Sequence, residues 1–410
     1  MTKKASTPAL RFKGFTYTWE QRKLSEFADK VTEKNVGLQY IETFTNSAEF
    51  GIISQRDFFD HDIAKMSSLG GYYIVRSEDF VYNPRISTSA PVGPINRNKL
   101  GRIGVMSPLY TVFRPHDIGT TYLEHFFKSK YWHSFMNFNG DSGARSDRFS
   151  IKDSVFFEMP IPIPHIEEQR KIGEYLTHLD RLITLHQRKY DKLTNMKKSM
   201  LEKMFPKNGA NVPEIRFKGF TDAWEQRKLG EAVQEVTRND ATSDAPIMMI
   251  TANNGFIEQS ERYAFNNAGE SLKKYILLEK GELAYNHGAS KLRPYGSCFT
   301  LTTSENARIP FVYHCFSADE QNSEFLSIEL NGADVENQLR RIVSSGARMD
   351  GLLNISFQEY VSVSVLLPTI EEQNKIADFF KNLDNLITLH QRELEKLQNI
   401  KKSMLEKMFV

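Results

Sequence analysis

Cysteine is scarce in this chain of 410 residues: Cys298 and Cys315 are its two examples, and neither forms a CxxC pair or a cysteine–histidine cluster. This scarcity fits a reducing compartment and argues against a structural zinc site. There is also no run of roughly 18 apolar residues of the kind that spans a membrane. The first residues, MTKKASTPALRFKGF, lack the apolar core of a secretory signal. We therefore expect a cytoplasmic protein without a metal site.

Excess charge and catalytic motifs are lacking as well. The 53 basic and 51 acidic residues give a net charge of +2, so overall charge does not by itself indicate a nucleic-acid partner. The sequence has no GxxxxGKS/T, GxGxxG, HExxH or GxSxG motif. Its nearest approach to an amino-methyltransferase motif, Asn83-Pro84-Arg85-Ile86, lacks the second proline and the aromatic residue that would stack on a flipped base. We expect no catalytic residue in this chain.

What the sequence does have is an internal repeat. Residues 11–24 (RFKGFTYTWEQRKL) and 216–229 (RFKGFTDAWEQRKL) are identical at 12 of 14 positions. Residues 166–205 and 370–409 share 27 of 40 positions. The two offsets, 205 and 204, are half the chain length, so the protein is two tandem copies of one unit.

The inserts between these repeated segments have diverged. Residues 25–160 and 230–364 share short motifs in the same order: Gly-x-Ile-x-Gln at Gly51 and Gly255, Tyr-Asn at Asn83 and Asn286, and Ser-Gly-Ala-Arg at Ser142 and Ser345. This pattern predicts one fold with two different surfaces. The inserts should be mixed α/β, with strands within 72–82, 110–113, 247–251 and 360–367, and a helix over 121–138.

The second pair of repeats predicts two long helices, each starting after a proline, Pro164 or Pro368. Thr369 and Glu372 have capping-box spacing. Apolar residues alternate in steps of four and three, which predicts a heptad seam in each helix. The seam residues are Ile172, Leu176, Leu179, Ile183 and His186 in the first copy, and Ile376, Phe380, Leu383, Ile387 and His390 in the second.

Two arrangements can bury such a seam. The duplicated unit favours antiparallel pairing of the helices, and the alternative is that each helix packs on its own insert.

His186 and His390 are better explained as polar residues that fix the register than as ligands. Lys197 and Lys401 should snorkel, with the methylene stem along the apolar seam and the ammonium group in water. We call the repeated segments the frame. Trp19 and Trp224 are most simply residues that anchor this frame onto each insert. Pairing the copies antiparallel also predicts that the N-terminal segment lies beside the end of the last helix, with Phe12 near Phe409.

Basic, acid-free loops follow the shared Tyr-Asn in both inserts. Such loops are typical of DNA contacts, although a solvated loop is an equally simple explanation of either one alone. The Ser-Gly-Ala-Arg segments are a second candidate, because glycine permits close approach and arginine bridges guanine or phosphate. The candidate DNA-binding residues are Arg85, Arg97, Lys99, Arg102, Arg145 and Arg148 in the first insert, and Lys291, Arg293, Arg340, Arg341 and Arg348 in the second.

With RFKGFTxxWEQRKL, the Pro-x-x-Glu-Glu-Gln helix starts and the repeated KKSMLEKMF in place, the whole chain resembles the specificity subunits of type I restriction–modification systems. The resemblance implies two target-recognition domains, each reading one half of a bipartite, asymmetric DNA target. It also implies docking of two methyltransferase subunits and, through them, of restriction subunits. S-adenosylmethionine, ATP and magnesium would be used by those partners and not by this chain.

The expected architecture is an α/β (α+β) protein with a pseudo-two-fold internal repeat, in which two antiparallel coiled-coil helices join the recognition domains. The expected domains are 1–160 and 208–364 for recognition, 161–207 for the central helix and 365–410 for the C-terminal helix. Two other functions are weaker. A self-contained methyltransferase-nuclease needs a catalytic motif that is absent, and a coiled-coil scaffold leaves the two basic inserts unexplained.

Overall fold

The computed structural model of the protein describes residues 7–59, 65–141, 147–207, 209–252, 254–262, 269–318, 320–343 and 352–409. The chain divides into two compact units. Unit 1 is Met1–Arg188 with Gln391–Val410, and unit 2 is Lys189–His390. Both boundaries fall within the long helices. Each unit therefore contains one globular part, a portion of the long helix that follows it, and a portion of the other long helix.

The helices in the described residues are α1 (Gln55–Phe59), α2 (Thr120–Lys128), α3 (His133–Asn139), α4 (Asp153–Phe156), α5 (Ile166–Lys203), α6 (Ser323–Leu330), α7 (Ala333–Ile342), α8 (Phe357–Tyr360) and α9 (Ile370–Lys407). The strands of unit 1 are β1 (Glu20–Lys23), β2 (Ala28–Lys30), β3 (Phe44–Ser47), β4 (Gly51–Ser54), β5 (Tyr73–Val75), β6 (Phe80–Tyr82), β7 (Ile95–Arg97), β8 (Gly104–Met106), β9 (Thr111–Pro115) and β10 (Pro160–Ile163). Those of unit 2 are β11 (Glu225–Lys228), β12 (Gln234–Glu235), β13 (Met248–Thr251), β14 (Gly255–Glu258), β15 (Ile276–Glu279), β16 (Leu283–Asn286), β17 (Ser297–Thr300), β18 (Asn306–Ile309), β19 (His314–Ser317) and β20 (Ser364–Leu367).

The two units have the same sheet topology. Unit 1 has a four-stranded sheet in the order β2-β9-β6-β7, and unit 2 has one in the order β12-β19-β16-β17. Three antiparallel pairs accompany each sheet: β1–β10, β3–β4 and β5–β8 in unit 1, and β11–β20, β13–β14 and β15–β18 in unit 2. The prediction of one fold in both divergent inserts is confirmed.

Two local predictions were wrong in detail. The helix expected over 121–138 is two helices, α2 and α3, because Trp132 turns inward and its indole N–H donates to the carbonyl of Phe127 at 3.0 Å. The strand expected over 360–367 begins only at Ser364, since Tyr360 closes the short helix α8. That helix starts with a capping box between Ser356 and Glu359.

The two long helices, α5 and α9, are each 38 residues long, or about 57 Å. The predicted seam residues are buried to different degrees. Ile172, Leu176 and Leu179 are buried in the core of unit 1, and Ile376, Phe380 and Leu383 are buried in unit 2. Ile183, His186, Ile387 and His390, further along the seam, are only partly buried. The early seam residues are better buried because they pack on the globular part as well as on the other helix.

Contacts inside each unit show that α5 and α9 run antiparallel. In unit 1 Leu10 donates its backbone N–H to the carbonyl of Lys407 at 3.0 Å, while the neighbouring Arg11 binds Glu168. The start of α5 therefore lies beside the end of α9, and further along Asp180 of α5 pairs with Lys401 of α9.

Unit 2 repeats this arrangement. Ile215 donates to the carbonyl of Lys203 at 2.9 Å, Arg216 binds Glu372, and Lys197 pairs with Asp384 at 2.6 Å. Lys197 and Lys401 thus form cross-helix ion pairs, where snorkelling alone was expected.

The predicted closure of the N-terminal segment onto the last helix is confirmed. Phe12 packs against the unit 1 core that contains Phe409. Its ring also makes an edge contact with Tyr175 of α5, with centroids 5.7 Å apart. Phe217 makes the equivalent contact with Phe379 in unit 2, at 5.9 Å.

Candidate nucleic-acid interface

Arginine–glutamate pairs join the two repeated motifs of each unit into a frame. Arg11 donates two hydrogen bonds to Glu168, at 2.9 and 2.7 Å, and Arg216 donates two to Glu372, both at 2.7 Å. Because Glu372 binds Arg216, the capping box expected with Thr369 is only half formed. Thr369 still accepts the Glu372 backbone N–H at 3.4 Å.

The glutamine of each Pro-x-x-Glu-Glu-Gln start joins the long helix to the globular part of its unit. Gln169 accepts the backbone N–H of Gly119, just before α2, at 2.9 Å and donates to the carbonyl of Pro164. Gln373 accepts from Asn322, just before α6, at 3.0 Å and donates to Pro368. The tryptophans are buried anchors, with Trp19 and Trp224 each 2 % exposed. The repeated motifs therefore have a structural role, because they attach each long helix to the globular part of its unit.

The shared Tyr-Asn fixes a nine-residue loop in each unit, residues 84–92 and 287–295. The Asn83 amide donates to the carbonyl of Asn46 at 2.8 Å and accepts the N–H of Arg85 at 2.9 Å. In unit 2, Asn286 donates to Ile250 at 3.1 Å and accepts from Gly288 at 2.9 Å. The bond from the residue two positions on makes each loop start as an Asx turn, and the bond to Asn46 or Ile250 attaches that start to the neighbouring hairpin.

The tyrosine fixes the other end of the loop. Tyr82 donates to the carbonyl of Val92 at 3.0 Å, and Tyr285 donates to Tyr295 at 2.7 Å. Burial raises the pKa of both phenols well above 10, so both remain protonated donors. A glycine with positive φ follows each loop, Gly93 (+83°) and Gly296 (+81°). A Cβ there would lie 2.2 Å and 2.6 Å from the carbonyl oxygens of Asn83 and Asn286.

An isolated backbone bridge joins each nine-residue loop to the segment that follows Ser-Gly-Ala-Arg in the sequence. In unit 1, Arg85 pairs with Arg148, and the N–H of Phe149 donates to the carbonyl of Pro84 at 2.7 Å. In unit 2, Gly288 pairs with Leu352, and Leu353 donates to His287 at 2.9 Å. Two segments that are about 60 residues apart in sequence thus form one surface in each unit. We call this surface the loop–strand surface: residues 84–92 with 147–150 in unit 1, and 287–295 with 352–355 in unit 2.

The structure separates the candidate residues of unit 1 into two groups. Arg85 is exposed and Arg148 partly exposed, and neither side chain has an acidic partner in the described part of the chain. The other group is paired within the fold: Arg97 binds Glu124 at 2.6 Å and Glu78 at 3.0 Å, Lys99 binds Glu124 at 2.9 Å, and Arg102 binds Glu42 at 2.7 Å. Although burial opposes ionisation of Glu124, its cations Lys128, Lys99 and Arg97 lower its pKa to about 2.

Unit 2 shows a similar division. Lys291 is exposed at the tip of the loop. Arg293 is half-buried and donates to the carbonyl of Asn331, at the end of α6, at 2.8 Å. Burial lowers its pKa. Arg340 and Arg341 are exposed in the last turn of α7, where cations also favour the helix dipole. Arg145 and Arg348 lie outside the described residues.

Sequence reasoning missed the uncharged residues of the loop tips. Ser87, Thr88 and Ser89 are exposed in unit 1, and Leu292 is 61 % exposed beside Lys291 in unit 2. Aligning the loops on the shared asparagine and the closing glycine, instead of searching for positive charge, would have found these positions.

The described residues contain no group of three or more histidines, cysteines or acids placed to hold a metal. Within the same residues, no helix combines the length and the apolar character needed to cross a bilayer. The loop–strand surfaces present hydrogen-bond donors, cations and, at Leu292, an apolar side chain.

The chain is similar to known proteins in both sequence and fold. Residues 17–195 match the family model of the type I restriction modification DNA specificity domain.

A specificity subunit of the type I restriction enzyme MjaVIII from Methanocaldococcus jannaschii is 23 % identical over 278 residues. That alignment covers 62 % of this chain and 62 % of the relative, so the chain spans less than two thirds of it. The crystal structure of a type I restriction-modification system S subunit from M. genitalium has the same fold, with a TM-score of 0.56 at 13 % identity over 99 % of both chains.

Proposed function

We propose that this chain is the sequence-specific DNA-binding subunit of a type I restriction–modification complex, in which each unit reads one half of a bipartite, asymmetric target. One observation carries the proposal. In both units the same frame holds a loop–strand surface, yet the exposed side chains of the two surfaces differ. Two different half-sites require this combination of equal supports and unequal contacts.

We further propose that α5 and α9 dock two methyltransferase subunits, and that restriction subunits join through them. In this proposal the chain itself is non-catalytic. S-adenosylmethionine, ATP and magnesium are used by the partner subunits. The match of residues 17–195 to the family model supports this assignment. In this proposal double-stranded DNA is the ligand of the loop–strand surfaces.

The test uses the full chain expressed with its methyltransferase partner. Sequencing of modified bases in those cells should reveal one bipartite motif, and the purified complex should bind that motif. Arg85→Ala and Arg148→Ala should each weaken binding and reduce its salt dependence by about one counterion, because each removes a cation that has no acidic partner among the described residues. Arg102→Ala is the matched control, since Arg102 is already paired with Glu42.

A scaffold without DNA function would give no motif and no binding. Equal effects of all three variants would remove the loop–strand surface of unit 1 from the DNA interface.

A further inference from the structure

At the tip of each loop, two residues occupy equivalent positions but differ in side-chain chemistry: Thr88-Ser89 in unit 1 and Lys291-Leu292 in unit 2. In unit 1, Ser87 and Ala90 exchange two backbone hydrogen bonds of 3.1 Å, and the Ser87 hydroxyl accepts the Ala90 N–H at 3.2 Å. In unit 2, the Ser290 N–H donates to the carbonyl of Arg293 at 3.0 Å, and the Ser290 hydroxyl accepts the Arg293 N–H at 3.0 Å. The same serine-initiated turn therefore forms in both units.

Between these turn ends stand Thr88-Ser89 in unit 1 and Lys291-Leu292 in unit 2. All four residues are exposed. They lie at the same two positions of a turn whose ends are fixed by tyrosine, asparagine and glycine, so changes there need not disturb the fold. Leu292 is an apolar side chain that is 61 % exposed at this tip.

We infer that these two tip positions, 88–89 and 291–292, determine the base preference of their half-sites. The inference rests on the proposed function and deepens it. An ammonium group donates to the guanine O6 and N7 acceptors in the major groove, and an apolar side chain contacts the thymine methyl group. The unit 2 half-site therefore contains a guanine contacted by Lys291 beside a thymine contacted by Leu292. The hydroxyls of Thr88 and Ser89 accept or donate, and they read a different pair in the unit 1 half-site.

The test exchanges the tips in the full chain. Lys291→Thr with Leu292→Ser gives unit 2 the tip of unit 1, and Thr88→Lys with Ser89→Leu does the reverse. Each double variant is expressed with the methyltransferase partner, and the modified motif is sequenced. The unit 2 variant should lose its preference for guanine and thymine at two adjacent positions of one half-site, by about 5- to 150-fold per position, while the other half stays unchanged. The unit 1 variant should change the opposite half only.

Leu109→Ser is the matched control, because Leu109 is 59 % exposed in a turn outside the loop–strand surface. It should leave the motif unchanged. If a double variant fails to accumulate, Lys291→Ser alone replaces it, since Lys291 is exposed and has no ion pair in the described residues.

The outcomes separate the two hypotheses. A wild-type complex that modifies no specific motif would overturn the proposed function itself. A wild-type motif that persists unchanged in both double variants would overturn the tip assignment alone. Uniform weakening on every sequence, with a smaller salt slope, would show that Lys291 contacts phosphate and would likewise overturn it.

Discussion

Replacing the buried arginine of each frame should destabilise the two units by unequal amounts. Arg216 and Glu372 form a bidentate pair in which the glutamate is fully buried, with side-chain exposures of 12 % and 0 %. Arg11 and Glu168 form the equivalent pair, at 11 % and 1 %. Glu168, however, also accepts a hydrogen bond from the Trp19 indole at 3.1 Å, whereas the Trp224 indole N–H has no hydrogen-bond partner in the described residues.

The magnitude follows from this difference. Arg216→Met leaves Glu372 buried without its charge partner, which costs about 3–5 kcal/mol. Arg11→Met should cost less by about 1.5–3 kcal/mol, because a hydrogen bond to a charged group contributes about that much and Glu168 retains one. Adding Glu372→Gln to Arg216→Met should recover much of the loss, since the neutral amide removes the unpaired charge.

Hydrogen–deuterium exchange is the suitable assay because it reports on each unit separately. Peptides around Trp224 and Glu372 should lose more protection in Arg216→Met than those around Trp19 and Glu168 lose in Arg11→Met. Equal losses in the two variants, or a Glu372→Gln addition that destabilises further, would refute the reasoning.

Three further predictions follow from particular residues. Burial raises the pKa of Glu329 to about 7 from 4.5, so the folded chain keeps a proton that the unfolded chain releases. The free energy of unfolding should therefore fall by an amount on the order of 3 kcal/mol as the pH rises from 4.5 to about 7. In denaturant titrations, Glu329→Gln should make this free energy depend less on pH, whereas the exposed control Glu225→Gln should not. Gly93→Ala should cost at least about 2 kcal/mol more than Gly101→Ala, because both have positive φ but the new Cβ clashes only at Gly93; equal unfolding midpoints would contradict this. The purified chain alone should transfer no methyl group from S-adenosylmethionine and cut no DNA, and activity that co-purifies with the full-length chain through several columns would disprove it.

The repeat in the sequence predicts much of the architecture, because a frame whose two copies must make the same contacts keeps the same residues. The long helices, their antiparallel direction and the closure of the N-terminal segment onto Phe409 all follow from it. The uneven burial along the heptad seam has a physical cause. Ile172 and Ile376 pack against the other long helix and against a globular core at the same time. The spacing of apolar residues alone does not distinguish these two surroundings.

The candidate site was less predictable. Positive charge identified Arg85 and Lys291, which are exposed, together with Arg97 and Arg102, which pair with acids distant in sequence. Sequence does not place Glu124 or Glu42 beside those arginines; only the tertiary fold does. The backbone pairing of Arg85 with Arg148 is likewise a tertiary contact that no local pattern encodes.

The central claim, that each insert reads one half-site independently, is tested most directly by giving both units the same insert. In a chain whose residues 230–364 are replaced by a second copy of residues 25–160, the repeated frame would hold two identical loop–strand surfaces. Sequencing of the bases modified by that chain with its methyltransferase partner should return a symmetric motif, whose halves are both the original first half-site in inverted orientation. An asymmetric motif that retains the original second half-site would contradict the account.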